Sequence, residues 1–149
     1  MMKLIKTFKL ISVLAVLITA ISCSEDEPSV VRSAQCGEFV VLSTSGYNGT
    51  PSSSFSILEA ELVEDCLTLT VSASGCSGNT WQGTIYAADY EIVNAEVVFD
   101  ARLDVVNIEA CTAVPSTEMV FDVSSLQVSG ENSVMISIDG WNADLVYSY

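Results

Sequence analysis

Histidine is absent from the 149 residues, and lysine does not occur after Lys9. The first absence removes any Ser-His-Asp triad and any histidine-ligated metal centre. The second removes Schiff-base and lysine-base chemistry from the rest of the chain. Only five side chains are basic, against 19 Asp and Glu. Once residues 1–22 are removed, Arg32 and Arg102 face all 19 carboxylates, a formal charge of about −17. Such a surface repels phosphate backbones and anionic lipid, so nucleic acid is not expected as a partner, and the acidity serves solubility first. Gly75-Cys76-Ser77-Gly78-Asn79 reads as a turn and not a phosphate-cradling loop. No stretch of ten or more residues carries a helical apolar stripe. Nothing in the chain asks for a cofactor.

What is present begins with an address. Lys3, Lys6 and Lys9 precede an apolar run from Leu10 to Ile21, followed by Ser22-Cys23. A charged segment, a short apolar segment and a small residue before a processing point make up an export signal. The run is too short to span a bilayer, which takes roughly 20 residues. Ala20-Ile21-Ser22-Cys23 resembles a lipobox, with Ala20 in place of the usual leucine. That resemblance implies cleavage after Ser22 and lipidation of Cys23, whose acyl chains would anchor the protein in a membrane. Ser24-Glu25-Asp26-Glu27 resembles the signal that sends Bacteroidota lipoproteins to the outer face of the outer membrane; retention on the periplasmic face is the alternative. The expected organisation is a signal peptide at 1–22, a lipidated cysteine and acidic tether at 23–35, and one domain at 36–149.

Half of the chain is apolar, enough for a proper core in a domain of this length. Runs of β-branched and aromatic residues recur between Gly, Ser, Asn and Asp clusters. They predict strands at 38–42, 54–63, 67–72, 80–87, 96–108, 118–123, 133–138 and 145–149. Leu67, Leu69 and Val71 alternate with threonines, and Val97 to Val105 alternate with Asp100, Arg102 and Asp104, so each strand has one core face. The alternation changes register at Val105-Val106, which predicts a bulge there. The expected fold is all-β: an antiparallel two-sheet sandwich, with a small barrel as the alternative. The Gly- and Ser-rich segment Ser43–Ser53 reads as the longest flexible connection.

Lipidation of Cys23 would leave Cys36, Cys66, Cys76 and Cys111 as an even set in an oxidising compartment. Cys66 and Cys76 bracket one strand and would lie about 30 Å apart, beyond the reach of a disulfide. Cys36–Cys66 with Cys76–Cys111 is preferred, and the remaining arrangement stays open. No close cysteine spacing suggests zinc.

Candidate chemistry is thin. Trp81 shares its parity with Gly83, Ile85 and Ala87 and is expected in the core; exposed, it would form a sugar-stacking platform with Tyr86 and Tyr90. Trp141, in a turn, is the better exposed aromatic contact. Asp139, Asn142 and Asp144 place oxygens in that same turn as a weak calcium candidate, although a β-turn accounts for them. Glu96, Asp100 and Asp104 are the carboxylates a hydrolase would have to use; a solvated strand face accounts for them better.

Asp65-Cys66-Leu67, Gly75 to Trp81, Glu109-Ala110-Cys111, Phe121-Asp122-Val123, Gly140-Trp141 and the closing Leu145–Tyr149 together resemble small uncharacterised lipoproteins of Flavobacteriia. The resemblance covers roughly residues 55–149 and implies origin and address, not activity. The expectation is a non-enzymatic, membrane-anchored binding module of the cell envelope. Its contact surface would lie around Trp141 or the Ser43–Ser53 loop, and a protein or a glycan would be its partner. A structural accessory subunit and a carboxylate-based hydrolase are the alternatives.

Overall fold

The computed structural model describes residues 36–51 and 54–149; the signal segment, Cys23 and the acidic tether lie outside the described residues. In chain order the elements are β1 (Glu38–Phe39), β2 (Val41–Leu42), α1 (Thr44–Gly49), β3 (Phe55–Val63), β4 (Cys66–Ala73), β5 (Gln82–Ala87) and β6 (Glu91–Val93). Then come β7 (Glu96–Val106), β8 (Ser116–Asp122), a 3-10 turn at Ser124–Leu126, β9 (Ser133–Ile138) and β10 (Leu145–Ser148). One sheet runs β1-β8-β4-β3. The other runs β10-β9-β7-β5-β2, with β6 paired to the start of β7. The result is an open two-sheet sandwich, as expected, and not a barrel.

Alternation makes the core. Leu67, Leu69 and Val71 of β4 and Met119 and Phe121 of β8 form one inner face. Ile85 of β5, Val97, Phe99, Ala101 and Leu103 of β7, and Val134, Ile136 and Ile138 of β9 form the other. Two-residue periodicity sends these chains inward and their neighbours outward. Gly83 is what lets the sheets approach at β5. A Cβ there would sit 2.6 Å from the Met119 sulfur and 3.0 Å from Phe121 Cζ. Trp81 is buried and packs over Gly75, as its parity predicted.

Pairing is mixed where a wholly antiparallel sandwich was expected. β1 runs parallel to β8, β2 parallel to β5 and β7 parallel to β9. The reason is crossing between layers: a chain that leaves one sheet through β7, traverses the other as β8 and returns as β9 arrives in its starting direction. The first strand crosses too. Glu38–Phe39 pairs with one sheet and Val41–Leu42 with the other, and Val40 between them is buried while donating its N–H to the Asp122 carbonyl.

The bulge lies elsewhere than predicted. β7 keeps register with β5 through Val106, so Val106 and Ile108 simply face solvent. The extra residue is in β3, between Ile57 and Glu59, where Leu58 is expelled outward and the inward parity moves to Ala60 and Leu62.

Cys36 bridges Cys66 and Cys76 bridges Cys111, the preferred pairing. The first fastens β1 to the start of β4. The second fastens the turn after β4 to the crossover between β7 and β8. The loops closed span 30 and 35 residues. Replacing either pair by alanines is expected to cost about 2–4 kcal/mol. Urea melts of each double variant, alongside non-reducing peptide mapping of the parent, check both cost and connectivity.

Candidate functional site

Three pieces of chain meet on the outer face of the six-stranded sheet. From β7 come Asp100 and Arg102, which point outward because their neighbours Phe99, Ala101 and Leu103 fill the core. From β9 and the turn after it come Ser137, Asp139 and Trp141. Ser137 lies level with Asp100 in the parallel pair. The third piece is α1, which supplies Tyr47. Together they line a groove of about 280 Å³.

The segment expected to be a flexible loop is ordered at α1 by a series of local contacts. Ser43 caps the helix, its hydroxyl accepting from the Gly46 N–H at 3.0 Å, and its own N–H donates to the Ala87 carbonyl. The Thr44 hydroxyl donates to Asp89 at 2.9 Å and accepts from the Asp89 N–H at 3.2 Å. Gly46 lies directly on the ring of Tyr86, where a Cβ would come within 2.4 Å of Cδ1. A six-residue helix cannot hold itself in water; these anchors hold it on the sheet.

Arg102 organises the groove. Its guanidinium lies 4.4 Å over the Tyr47 ring, its Nε donates to Asp139 Oδ2 at 3.1 Å and its Nη1 donates to the Tyr47 carbonyl at 3.3 Å. Tyr86 stands directly across from it on β5. Among the described residues Arg102 is the only cationic side chain. The Asp100 carboxylate, the Ser137 hydroxyl, Arg102 Nη2 and Asp139 Oδ1 make no hydrogen bond to any described residue, and the buried Trp141 indole N–H has no partner among them either.

The structure therefore joins Trp141 with Tyr47, the one residue of the Ser43–Ser53 segment that lines the groove, two contact surfaces that the sequence kept apart. Trp141 is half-buried, since part of its ring packs against the core. Tyr86 belongs to the floor beneath α1. Tyr90 does not join it. It stands edge-on to Phe99, with ring centroids 5.7 Å apart, at a separate cleft beside Leu42 and Val128. Asp139 is spent on Arg102, whereas Asn142 and Asp144 are exposed in the turn. No three His, Cys, Asp or Glu side chains among the described residues gather at a metal-holding spacing. Glu96, Asp100 and Asp104 lie in a row on the outer face of β7, about 26 Å from first to last, and do not face one another across a cleft.

Tyr47 and Arg102 were missed as site residues. The signal for Arg102 was its uniqueness: one cation in a domain of carboxylates.

A second polar cluster lies at the crossover. Glu109 Oε2 accepts the N–H groups of Cys76, Ser77 and Gly78 at 2.5, 3.0 and 3.1 Å, and Oε1 accepts the Thr80 hydroxyl at 2.9 Å. The Ser77 N–H, followed by those of Gly78 and Cys76 and by the Thr80 hydroxyl, outweighs partial desolvation and holds this carboxyl down to about 2. At the opposite extreme, burial and the hydrogen bond to Asp65 push Tyr147 up to about 12, partly offset by donation from Gln127.

Comparison with known proteins supplies the class of fold. No family model matches the chain, and no curated protein matches it. Among solved structures it is similar to the crystal structure of a Bacteroides vulgatus protein of unknown function, DUF1344. The identity is 11% and the TM-score 0.50, over 76% of this chain and 56% of that one. This chain thus spans little more than half of that neighbour's length, and the likeness is one of fold.

Two outcomes test the geometry. Gly46→Ala adds up to about 1 kcal/mol of helix propensity, but overpacking against a fixed ring costs about 1–3 kcal/mol. The clash at 2.4 Å wins, so the variant is expected to be less stable. In a Tyr86→Ala background the same substitution is expected to stabilise, and a double-mutant cycle by urea melts reads the sign reversal. For Glu109, a pKa below the usual carboxylate value means its stabilisation is present above about pH 4.5 and fades as pH falls toward 2. Glu109→Gln is expected to lower Tm at neutral pH and flatten the acid limb of a Tm-against-pH curve in that window.

Proposed function

We propose that this chain is a lipid-anchored protein of the cell envelope, displayed on the outer surface. Its β-sandwich is a non-enzymatic binding module, and the Tyr47–Arg102–Trp141 groove is its contact face. One observation carries the reading: the groove collects the described residues' single cation, two aromatic rings and several polar groups without partners among the described residues in one concave place. Concave sites with a few convergent polar groups are where ligands bind. The anchor rests on Cys23 and the residues before it. Among the described residues no hydrogen bond joins the Ser137 hydroxyl to a groove carboxylate, and Asp139 is paired with Arg102; the non-enzymatic reading rests on the lack of histidine and of any lysine after Lys9.

An accessory-subunit role is the second reading. It is favoured by the exposed Val106, Ile108 and Val114 around the crossover between β7 and β8, which would be covered in a larger complex.

Proteinase treatment of intact cells is expected to release the domain by cutting within residues 24–35, while a periplasmic lipoprotein stays protected. Protection until the outer membrane is ruptured would move the protein to the periplasmic face. Cys23→Ala is expected to shift it from the membrane to the soluble fraction. A photo-crosslinking amino acid at Asn48, exposed on α1, is expected to capture envelope material, whereas one at Glu61 on the far sheet is not. Capture at Ile108 instead of Asn48 would favour the accessory reading.

A further inference from the structure

The groove also specifies its ligand class, given that it is the contact face as proposed above. We infer that it takes a neutral saccharide, seated as a sugar ring between Trp141 and the Tyr47–Arg102 stack.

Elimination by charge comes first. An anionic ligand would need the guanidinium, whose charge is already paired with Asp139 and whose Nη1 and one face are engaged by Tyr47, so that Nη2 is the main donor left to meet it. The incoming anion would also meet the Asp100 carboxylate and the field of a domain with 19 carboxylates in its chain. A small cation fares no better. Asp139 is neutralised by Arg102, and Asp100 alone is a poor site with a guanidinium beside it. An apolar ligand would strand the polar walls formed by Asp100, Arg102, Ser137 and Asp139.

What remains is a neutral molecule with hydroxyls on its rim and an apolar face. The free groups fit that description in kind. Asp100 and Asp139 Oδ1 accept, Arg102 Nη2 donates, and Ser137 does either. Neighbouring hydroxyls on a sugar ring present donors and acceptors at the same short spacing. The ring's C–H face suits an aromatic wall, and Trp141 and Tyr47 are the two aromatics lining the groove. Size agrees: about 280 Å³ sits just under the about 300–1,000 Å³ usual for ligand pockets, room for one or two rings of a chain that continues into solvent. The fork of Arg102 is held in place before any ligand arrives, so little ordering is left to oppose binding.

The test uses the full chain in mild detergent, titrated calorimetrically with soluble neutral polysaccharides (β-glucan, mannan, xylan, galactan). Their monosaccharides and the polyanions polygalacturonate and heparin are run in parallel. At least one neutral polymer is expected to bind, and both polyanions are expected to fail. Trp141→Ala is expected to weaken binding about tenfold or more, and Asp100→Asn or Ser137→Ala severalfold. Asp100 is exposed and Ser137 solvent-facing, so their variants fold even if Trp141→Ala does not; Glu61→Gln, on the other sheet, is expected to bind like the parent. Monosaccharide binding equal to that of the polymer would identify a free sugar as the natural ligand within the same class. Preference for a polyanion, binding to none of the neutral probes, or affinity unmoved by Asp100→Asn and Ser137→Ala would overturn the inference. Crosslinking to a protein at Asn48 with no saccharide binding would leave the groove as contact face but sink the saccharide. Silence in both experiments would sink both.

Discussion

One guanidinium among sixteen carboxylates governs how the described domain is put together. Arg102 pairs with Asp139 alone, so the other carboxylates that the fold holds in place are held by neutral donors. Glu109 takes three backbone N–H groups and a threonine hydroxyl, Asp65 takes the Tyr147 hydroxyl, Asp89 takes Thr44, and the buried Asp122 takes the Ser124 N–H. Hydrogen bonds from neutral groups to a charged acceptor are among the stronger ones a protein makes. They are also directional, so each one fixes a turn or a loop where a solvated charge pair would leave it free.

The placement of these donors follows the places where the chain changes sheets. A strand can ride on its ladder, but a crossover has no ladder and must satisfy its backbone otherwise. Between β7 and β8 the task falls to Glu109, the Cys76–Cys111 bridge, the Asn107 amide on the Ser74 carbonyl and the Gly75 N–H on Ala113. Between β2 and β3 it falls to the short helix α1 with its serine cap and its seat on Tyr86. The same contacts that close this connection bring Tyr47 over Arg102, so the groove is a by-product of ordering a crossover.

Strand positions were readable because alternation is local. Leu67, Leu69 and Val71, or Val134, Ile136 and Ile138, announce their inward face within a few residues, and the strand at 133–138 has those bounds in the structure. The cysteine pairing was readable in part: strand length rules out Cys66–Cys76, but it leaves two arrangements, between which only the structure decides. Non-local features were not. Parallel pairing of β7 with β9 depends on β8 lying in the other sheet, which no window of sequence reports. The β3 bulge was hidden because Ile57-Leu58 looks like an ordinary apolar pair. Ser43–Ser53 read as flexible because glycine and serine usually are; the contact that seats its helical part α1, Gly46 against Tyr86, joins residues forty positions apart in sequence. Trp141 was visible as a turn aromatic, yet its neighbours in the groove come from elements no periodicity could bring together.

Arg102 then raises a question of purpose. Its pair with Asp139 is partly solvated, the two side chains being 31% and 56% exposed, and such pairs contribute about 0–1 kcal/mol. Stability therefore gives a weak account of why the one cation should sit here. Geometry gives a better one. A planar fork can hold a ring, a carbonyl and a carboxylate in a single arrangement, which a lysine ammonium of equal charge cannot do. Without it the Tyr47 carbonyl loses its donor and Asp139 is freed, while α1 keeps its contacts to Tyr86, Ala87 and Asp89. The groove would widen while the sandwich beneath stayed intact. The arginine thus contributes shape more than stability: it holds Tyr47, Asp139 and the strand beneath them in one concave arrangement that the sandwich alone does not impose.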